Sequence, residues 1–158
     1  MIAWRRYLAC LKYTLRHKWY VFLECRKLDV SLWQGLVHDL SKFLPSEFFA
    51  YAECFHNIDG SRRYLETEAF NIAWNRHQKS NKHHHQYWTL IMDESDIVSL
   101  EMPEKYAREM VADWVGAGKA IYGKNEVKSW YYRNKHKIRL HDKTRELVER
   151  LIEEANND

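Results

Sequence analysis

Histidines and aspartates that could hold a metal recur along this chain in a defined order: His17, then His38-Asp39, then His77, then the run His83-His84-His85, then Asp113. Imidazole and carboxylate ligands suit Fe, Mn, Zn, Co, Ni and similar divalent ions, with Mg a further candidate. Thiolates are absent from the pattern, because Cys10, Cys25 and Cys54 lie outside it. That disfavours a structural zinc site.

Each residue also has a plain structural explanation. An isolated His-Asp pair is usually buried and hydrogen-bonded to backbone. His17 shares a helical face with Tyr13, Tyr20 and Val21, the setting of an ordinary core histidine. Asp39, read on a helix, shares a face with Leu32, Leu36 and Phe43, with Gly35 one turn before it to admit a close neighbour. A carboxylate on an apolar stripe is costly unless it is paired or binds a metal. His77, Asn81 and His84 fall at i, i+4 and i+7, one stripe if the helix is continuous. The three successive histidines cannot all point inward, and a solvated polar turn is the alternative for them. Asp113 sits among Met110, Gly116, Ala117 and Ala120. An acid on such small residues faces a close partner: an Arg or Lys, or a metal.

Positioning these groups requires helices. The spacing predicts helices over residues 2–27, 32–43 (capped by Ser31, stopped by Pro45), 46–55, 62–79, 82–91, 103–122 and 144–156. Asn57 to Ser61 reads as a turn and residues 93–95 as a loop. Pro103 suits a first turn and Gly123 a helix end. Residues 124–141 are ambiguous, and 144–156 form a charged amphipathic helix, a lid or an oligomer contact. No stretch alternates as a buried strand does, so the expected class is all-α. A single domain over 1–158 is expected, with a core over about 10–123 and 124–158 as a C-terminal extension.

Composition narrows the class. The chain has 158 residues, 46% of them hydrophobic, with only 5 Gly and 2 Pro, and this excludes disorder and disfavours a turn-rich β fold. A net charge of +3 with the basic residues dispersed suits a phosphorylated small molecule and disfavours nucleic acid as partner. Three cysteines without a CxxC pair read as free thiols, Cys10 as a small core side chain, in a reducing compartment. No stretch approaches a transmembrane helix. The first sixteen residues are broken by Arg5, Arg6, Lys12 and Arg16 and lack the apolar run of a signal peptide. A cytoplasmic protein without a membrane partner is expected, with a homo-oligomer left open.

The order His, His-Asp, His, His, Asp on successive helices resembles the HD-domain superfamily of metal-dependent phosphohydrolases. The segment His38 to Pro45 also looks like the His-Asp-x-Gly-Lys stretch of the HD-GYP phosphodiesterases, with Ser41 in place of Gly and no Gly-Tyr-Pro signature. A closer resemblance is to a small bacterial and phage family of unknown function, DUF5662. It rests on four blocks: His17 to Phe22; Trp33 to Phe43 with Pro45, Glu47 and Phe48; Ala73-Trp74 with His77, Asn81, His83, His84, Tyr87 and Trp88; and Met102-Pro103 with Tyr106, Glu109, Met110, Asp113 and Trp114. Family members usually carry an aromatic at the position of His85 and Glu at that of Gln86.

The superfamily resemblance implies a compact HD-like helical bundle around a central metal site. It assigns His17, His38, Asp39 and Asp113 to one ion, and His77 with His84 or, in reserve, His83 to a second. His85 is the least suited of the three. A carboxylate such as Asp39 could bridge two ions a few ångströms apart, as two-metal hydrolysis needs. The implied activity is hydrolysis of a nucleotide, cyclic nucleotide or other small phosphoester. Asp39 would orient or deprotonate a water and Lys42 would neutralise phosphate charge. Asn81, Lys79 and Lys82 are candidate phosphate contacts, and Glu47 a support behind a histidine. Trp33, Trp74, Tyr87 and Trp88 are candidates for stacking a base, and Tyr131, Tyr132, Lys135, Lys137 and His141 for covering the site. The same ligand order fits a di-iron oxygenase resembling myo-inositol oxygenase. A non-catalytic protein that binds a nucleotide or contacts a host protein is the third reading.

Overall fold

A computed structural model describes residues 3–94 and 96–156; Ile2 of the expected first helix and Ser95 of the expected loop lie outside the described residues. Seven α-helices account for most of these residues: α1 (Trp4–Lys27), α2 (Leu32–Val37), α3 (Pro45–Phe55), α4 (Glu68–Ser80), α5 (Glu104–Tyr122), α6 (Val127–Asn134) and α7 (Asp142–Asn156). Short 3-10 turns cover Leu40–Phe43, His85–Trp88 and Lys135–Lys137. Thr89–Leu90 (β1) and Val98–Ser99 (β2) pair antiparallel, Thr89 opposite Ser99. The fold is all-α, as the periodicity implies.

Local chemistry sets the helix ends. Ser31 accepts a hydrogen bond from the Gln34 amide and Thr67 from that of Phe70, each satisfying a free helix N-terminal donor. Gly123 adopts the left-handed conformation (φ 76°) and closes α5. Pro45 occupies the first turn of α3 rather than ending the helix before it.

α1 and α5 form the spine. α1 buries Cys10, Thr14, His17, Val21, Glu24 and Cys25, a helical stripe at steps of four, three and one. Gly116 of α5 is the closest approach: a Cβ there would fall 2.5 Å from Val21 Cγ2 and 2.8 Å from the Val21 amide nitrogen. Only glycine lets the two backbones come this near. One core joins Val21, Cys25, Met110, Val111 and Val115 to Tyr131, Val148, Leu151 and Ile152. A second lies between α1, α3 and α4 around Cys10, Tyr51, Cys54, Phe70 and Ala73. α7 is therefore packed into the main core through Val148, Leu151 and Ile152, which corrects the reading of it as a lid. Tyr131 is fully buried there and covers no site. Gly35 admits the side chains of Phe22 and Cys25 at 3.3 Å from its Cβ direction, not another backbone.

Three expected helices differ. Residues 32–43 are not one helix: α2 ends at Val37, His38 is extended (ψ 128°) and Asp39 is left-handed (φ 55°, ψ 24°). Aspartate is among the few non-glycine residues that visit this region. Residues 62–67 are extended, with the Arg63 and Leu65 amides donating to the Phe55 and Cys54 carbonyls, so α4 starts only at Glu68. Residues 82–91 hold a tight turn, a 3-10 turn and β1 in place of a fifth helix. The ambiguous stretch resolves into α6 and the following 3-10 turn.

Candidate metal centre

The break at His38-Asp39 builds the centre. Because the helix stops there, the apolar stripe assigned to Asp39 does not form: Leu32 and Leu36 are 53% and 52% exposed, while Asp39 is turned inward and 2% exposed. The left-handed backbone aims the carboxylate between α1, α4 and α5. The expectation that Asp39 is buried holds, by a different route from the one the helical face suggests.

The two oxygens of Asp39 face two groups of ligands. Oδ2 lies 3.5 Å from His17 Nε2 and 3.3 Å from His38 Nε2; Asp113 Oδ1 is 3.1 Å from the former and 3.5 Å from the latter. Oδ1 lies 3.3 Å from His77 Nε2 and 3.3 Å from His83 Nε2. Potential ligand atoms of His17, His38, Asp39 and Asp113 fall within 4.8 Å of one another, as do those of Asp39, His77, His83 and His84. Separations of 3.1–3.5 Å are those of ligand atoms each about 2.0–2.2 Å from a common ion.

Hydrogen bonding supports this fit. The Nε2 atoms of His17, His38, His77, His83 and His84 are buried with no hydrogen-bond partner, as is Asp39 Oδ1, while Asp39 Oδ2 meets the Lys42 ammonium at 2.6 Å. Buried polar atoms are rarely left so, and here they converge on one volume. The donor set of imidazoles and carboxylates fits a divalent transition ion.

The far nitrogens of His38, His77 and His83 are held from behind, while His17 Nδ1 has no partner. Glu47 accepts from His77 Nδ1 at 2.9 Å, and Ser41 donates to the same carboxylate at 3.1 Å. Glu109 Oε1 lies 2.9 Å from His38 Nδ1 and 3.3 Å from His83 Nδ1, and Gln34 donates to Glu109 Oε2 at 2.5 Å. One carboxylate thus orients a histidine from each group, which fixes their tautomers and raises their basicity. Glu109 is the residue the sequence reading missed as a support. Its signal was its place one helical turn before Asp113, on the same face of α5.

Charges in the cluster pull against burial. Burial alone would raise the Asp39 carboxyl, but His38, Lys42 and His17 hold it well below the usual carboxylate range. Asp113 is depressed in the same way by His17 and His38. Burial is likewise outweighed at Glu109, lowered to about 2 by His38 and His83. Burial and the adjacent His83 keep His84 well below the ordinary histidine value, so its ring is neutral and able to ligate. Lys42 Nζ lies 2.6 Å from Asp39 Oδ2. It arrives there through the 3-10 turn, in which its amide donates to the Asp39 carbonyl, not from the next turn of a helix.

The turn after α4 accounts for the triple histidine. α4 ends at Ser80, Asn81 closes it by donating to the His77 carbonyl at 2.8 Å, and the chain folds back so that both His83 and His84 face Asp39. His83 is therefore a full partner and not a reserve. His85 points away from the cluster, and burial lowers its pKa to about 4. Trp74 stacks on His77 and meets His84 edge-on.

The remaining candidates have other partners. Lys79 donates to the Gln86 carbonyl, and Lys82 sits over the Tyr87 and Tyr106 rings. Asn81 is occupied by His77 and Ser41. Trp33 is 73% exposed. Trp88 stands against Tyr87 and Tyr106. His141 accepts from the Lys143 amide. A cleft of about 480 Å³ opens beside the cluster, with His17 and Lys42 at one end and Tyr13, Tyr51, Phe70 and Trp74 among its walls.

A family model matches residues 6–154, and the chain belongs to that family, the family of unknown function DUF5662. No curated protein and no solved structure matches it.

Proposed function

We propose that this protein is a metal-dependent phosphohydrolase of the HD type, acting on a nucleotide or another small phosphoester. The observation that carries the reading is Asp39: one buried carboxylate whose two oxygens each face a separate set of unpaired imidazoles. A carboxylate so placed could serve two ions at once, as two-metal hydrolysis needs. His17, His38, Asp39 and Asp113 would hold one ion, and Asp39, His77, His83 and His84 the other. Ions bound there supply Lewis acidity toward a phosphoryl oxygen and lower the pKa of a bound water.

The chain's own groups do the rest. Lys42 stands at the cleft with its ammonium against Asp39. Burial acts to lower its pKa, but Asp39 and Asp113 hold it above the ordinary lysine value, so it stays charged and can engage an anionic oxygen as negative charge develops. Glu47 and Glu109 keep the imidazoles in register. Tyr13, Tyr51, Phe70 and Trp74 give the cleft an aromatic lining suited to the organic part of a substrate.

The test is elemental analysis of the purified protein, followed by a screen of nucleotides, cyclic nucleotides and cyclic dinucleotides with Mn²⁺ or Fe²⁺. Phosphate release that disappears together with bound metal in Asp39→Ala and in Asp113→Ala is expected. Full activity in either variant would overturn the site. Oxygen consumption without phosphate release would replace hydrolysis by di-iron oxygenation. Protein that takes up no metal would point to a binding role instead.

A further inference from the structure

α1 carries two apolar faces, and only one of them is used by the fold. The core face is Cys10, Val21 and Cys25 with the buried polar residues between them. The other is Trp4, Leu8, Leu11, Leu15 and Trp19, at steps of four, three, four and four, all exposed. From Trp4 to Trp19 this stripe runs about 22 Å at the α-helical rise.

A second apolar row accompanies it. The chain from Gly35 to Phe49 runs back along α1. Gly35 lies against Phe22 and Cys25, Lys18 donates to the carbonyls of Leu36 and His38, and the Phe49 ring meets Tyr7. Leu36, Leu40, Leu44 and Phe49 of this stretch are exposed, each near half. The kink that turns Asp39 inward leaves Leu40 outside. An apolar surface of this extent is uncommon on a protein with no partner.

The exposed charges that α1 itself presents are basic; Asp59 lies near Arg5, and Glu53 pairs with Arg6. Among the described residues 3–49, the exposed charged residues are Arg5, Lys12, Arg16, Arg26 and Lys27 with the single acid Asp29. The acids Glu24, Asp39 and Glu47 are all buried. A second copy docking α1 against α1 would bring one predominantly basic rim toward another, which is unfavourable. An anionic lipid surface complements the rim, and Trp and Leu on one face with Lys and Arg at its edges is the pattern of a helix lying in the membrane interface. α1 is not apolar enough to cross a membrane.

We propose that the α1 stripe and the Leu36 to Phe49 row form a docking face for an anionic membrane surface, on which the whole domain lies with α1 parallel to the bilayer plane. The expectation of no membrane partner rests on the lack of a stretch long and apolar enough to span a bilayer, which a helix lying in the interface does not need. The proposal does not depend on the phosphohydrolase reading, since its readout is lipid binding and involves no metal ligand.

The full chain is sedimented with phosphatidylcholine vesicles, with and without phosphatidylglycerol. Binding is expected to the anionic vesicles and to weaken with salt. Arg5→Glu with Lys12→Glu reverses two rim charges. At roughly 1 kcal/mol per basic residue near such a surface, it should weaken binding on the order of tenfold or more. Leu15→Glu, at an exposed position, should abolish binding while circular dichroism and melting stay those of the parent. Equal binding to both vesicles, or none to either, overturns the proposal. A concentration-dependent dimer in sedimentation equilibrium that Leu15→Glu dissolves, with no vesicle binding, would make the face a self-interface instead.

Discussion

Tyr131 and Asp39 are both enclosed by the fold, and their polar atoms meet different surroundings. The Tyr131 hydroxyl donates to Glu149 at 3.0 Å and accepts from Arg145 at 3.1 Å, while Arg145 also reaches the Ile138 carbonyl. Nearby, the buried Met102 amide donates to Thr144 at 2.9 Å. Around Asp39, five imidazole Nε2 nitrogens and the carboxylate oxygen Oδ1 have no hydrogen-bond partner. Burying an unpaired polar atom costs roughly 1–3 kcal/mol. A fold tolerates many such atoms together only where something else answers them. The first cluster completes itself and serves folding. The second does not complete itself, and its orphaned atoms converge on the volume where the proposed ions would sit.

The largest effect that separates the clusters is stabilisation by metal. A ligand at a hundred times its dissociation constant stabilises the native state by about 2.7 kcal/mol. For a chain of this size that is a melting shift of about 5–11 °C. Titrating Mn²⁺ or Fe²⁺ into metal-free protein should produce it, and Asp39→Ala should erase it, because both ligand groups share that carboxylate. A shift of equal size in Asp39→Ala would mean that the metal binds elsewhere.

The contrast also explains what could be read from the chain without coordinates. Helices bounded by strong local signals were legible: Ser31, Pro103 and Gly123 stand at helix ends, and α1 and α5 carry long, regular stripes. The convergence of His17, His38, Asp39, His77, His84 and Asp113 was legible too, since their residue types belong to one chemistry and recur in order. Two features were not. The left-handed turn at Asp39 follows from the fit of α2 and α3 against α1, and no residue in His38-Asp39-Leu40 announces it. The return of the chain after Asn81, which brings in His83 as well as His84, depends on contacts across the cluster. Helical periodicity therefore puts Asp39 on a face that the fold does not form, although the carboxylate is buried all the same. Tyr131 and α7 failed for the opposite reason: a helix with many charges reads as surface, yet Val148, Leu151 and Ile152 bury one narrow side of it.

Glu109 offers a sharper cut. It holds His38 in one ligand group and His83 in the other, whereas Glu47 holds only His77. Removing the residue behind a ligand typically costs 10–100-fold in metal affinity or activity, roughly 1.4–2.7 kcal/mol. Glu109→Gln keeps the volume but loses the charge facing two imidazoles, and calorimetric titration should show both binding steps weakened by about that factor. Glu47→Gln should weaken chiefly the step that depends on His77. If Glu109→Gln left one step at its parent affinity, the shared carboxylate would be an accident of packing.

The smallest effect tests the self-contained cluster. Thr144 is 2% exposed and its hydroxyl is the acceptor for the Met102 amide, itself in a buried residue. Valine preserves the branched shape and removes the acceptor, which leaves a buried N–H unsatisfied at a cost of at least about 1 kcal/mol. Thr144→Val should therefore melt about 2–4 °C lower. Because this cluster lends no atom to the Asp39 volume, the further rise on adding metal should match the parent's. Loss of that rise would mean that the joint between α5 and α7 sets the spacing of Asp113 against His17, and the two clusters would then be one mechanical unit.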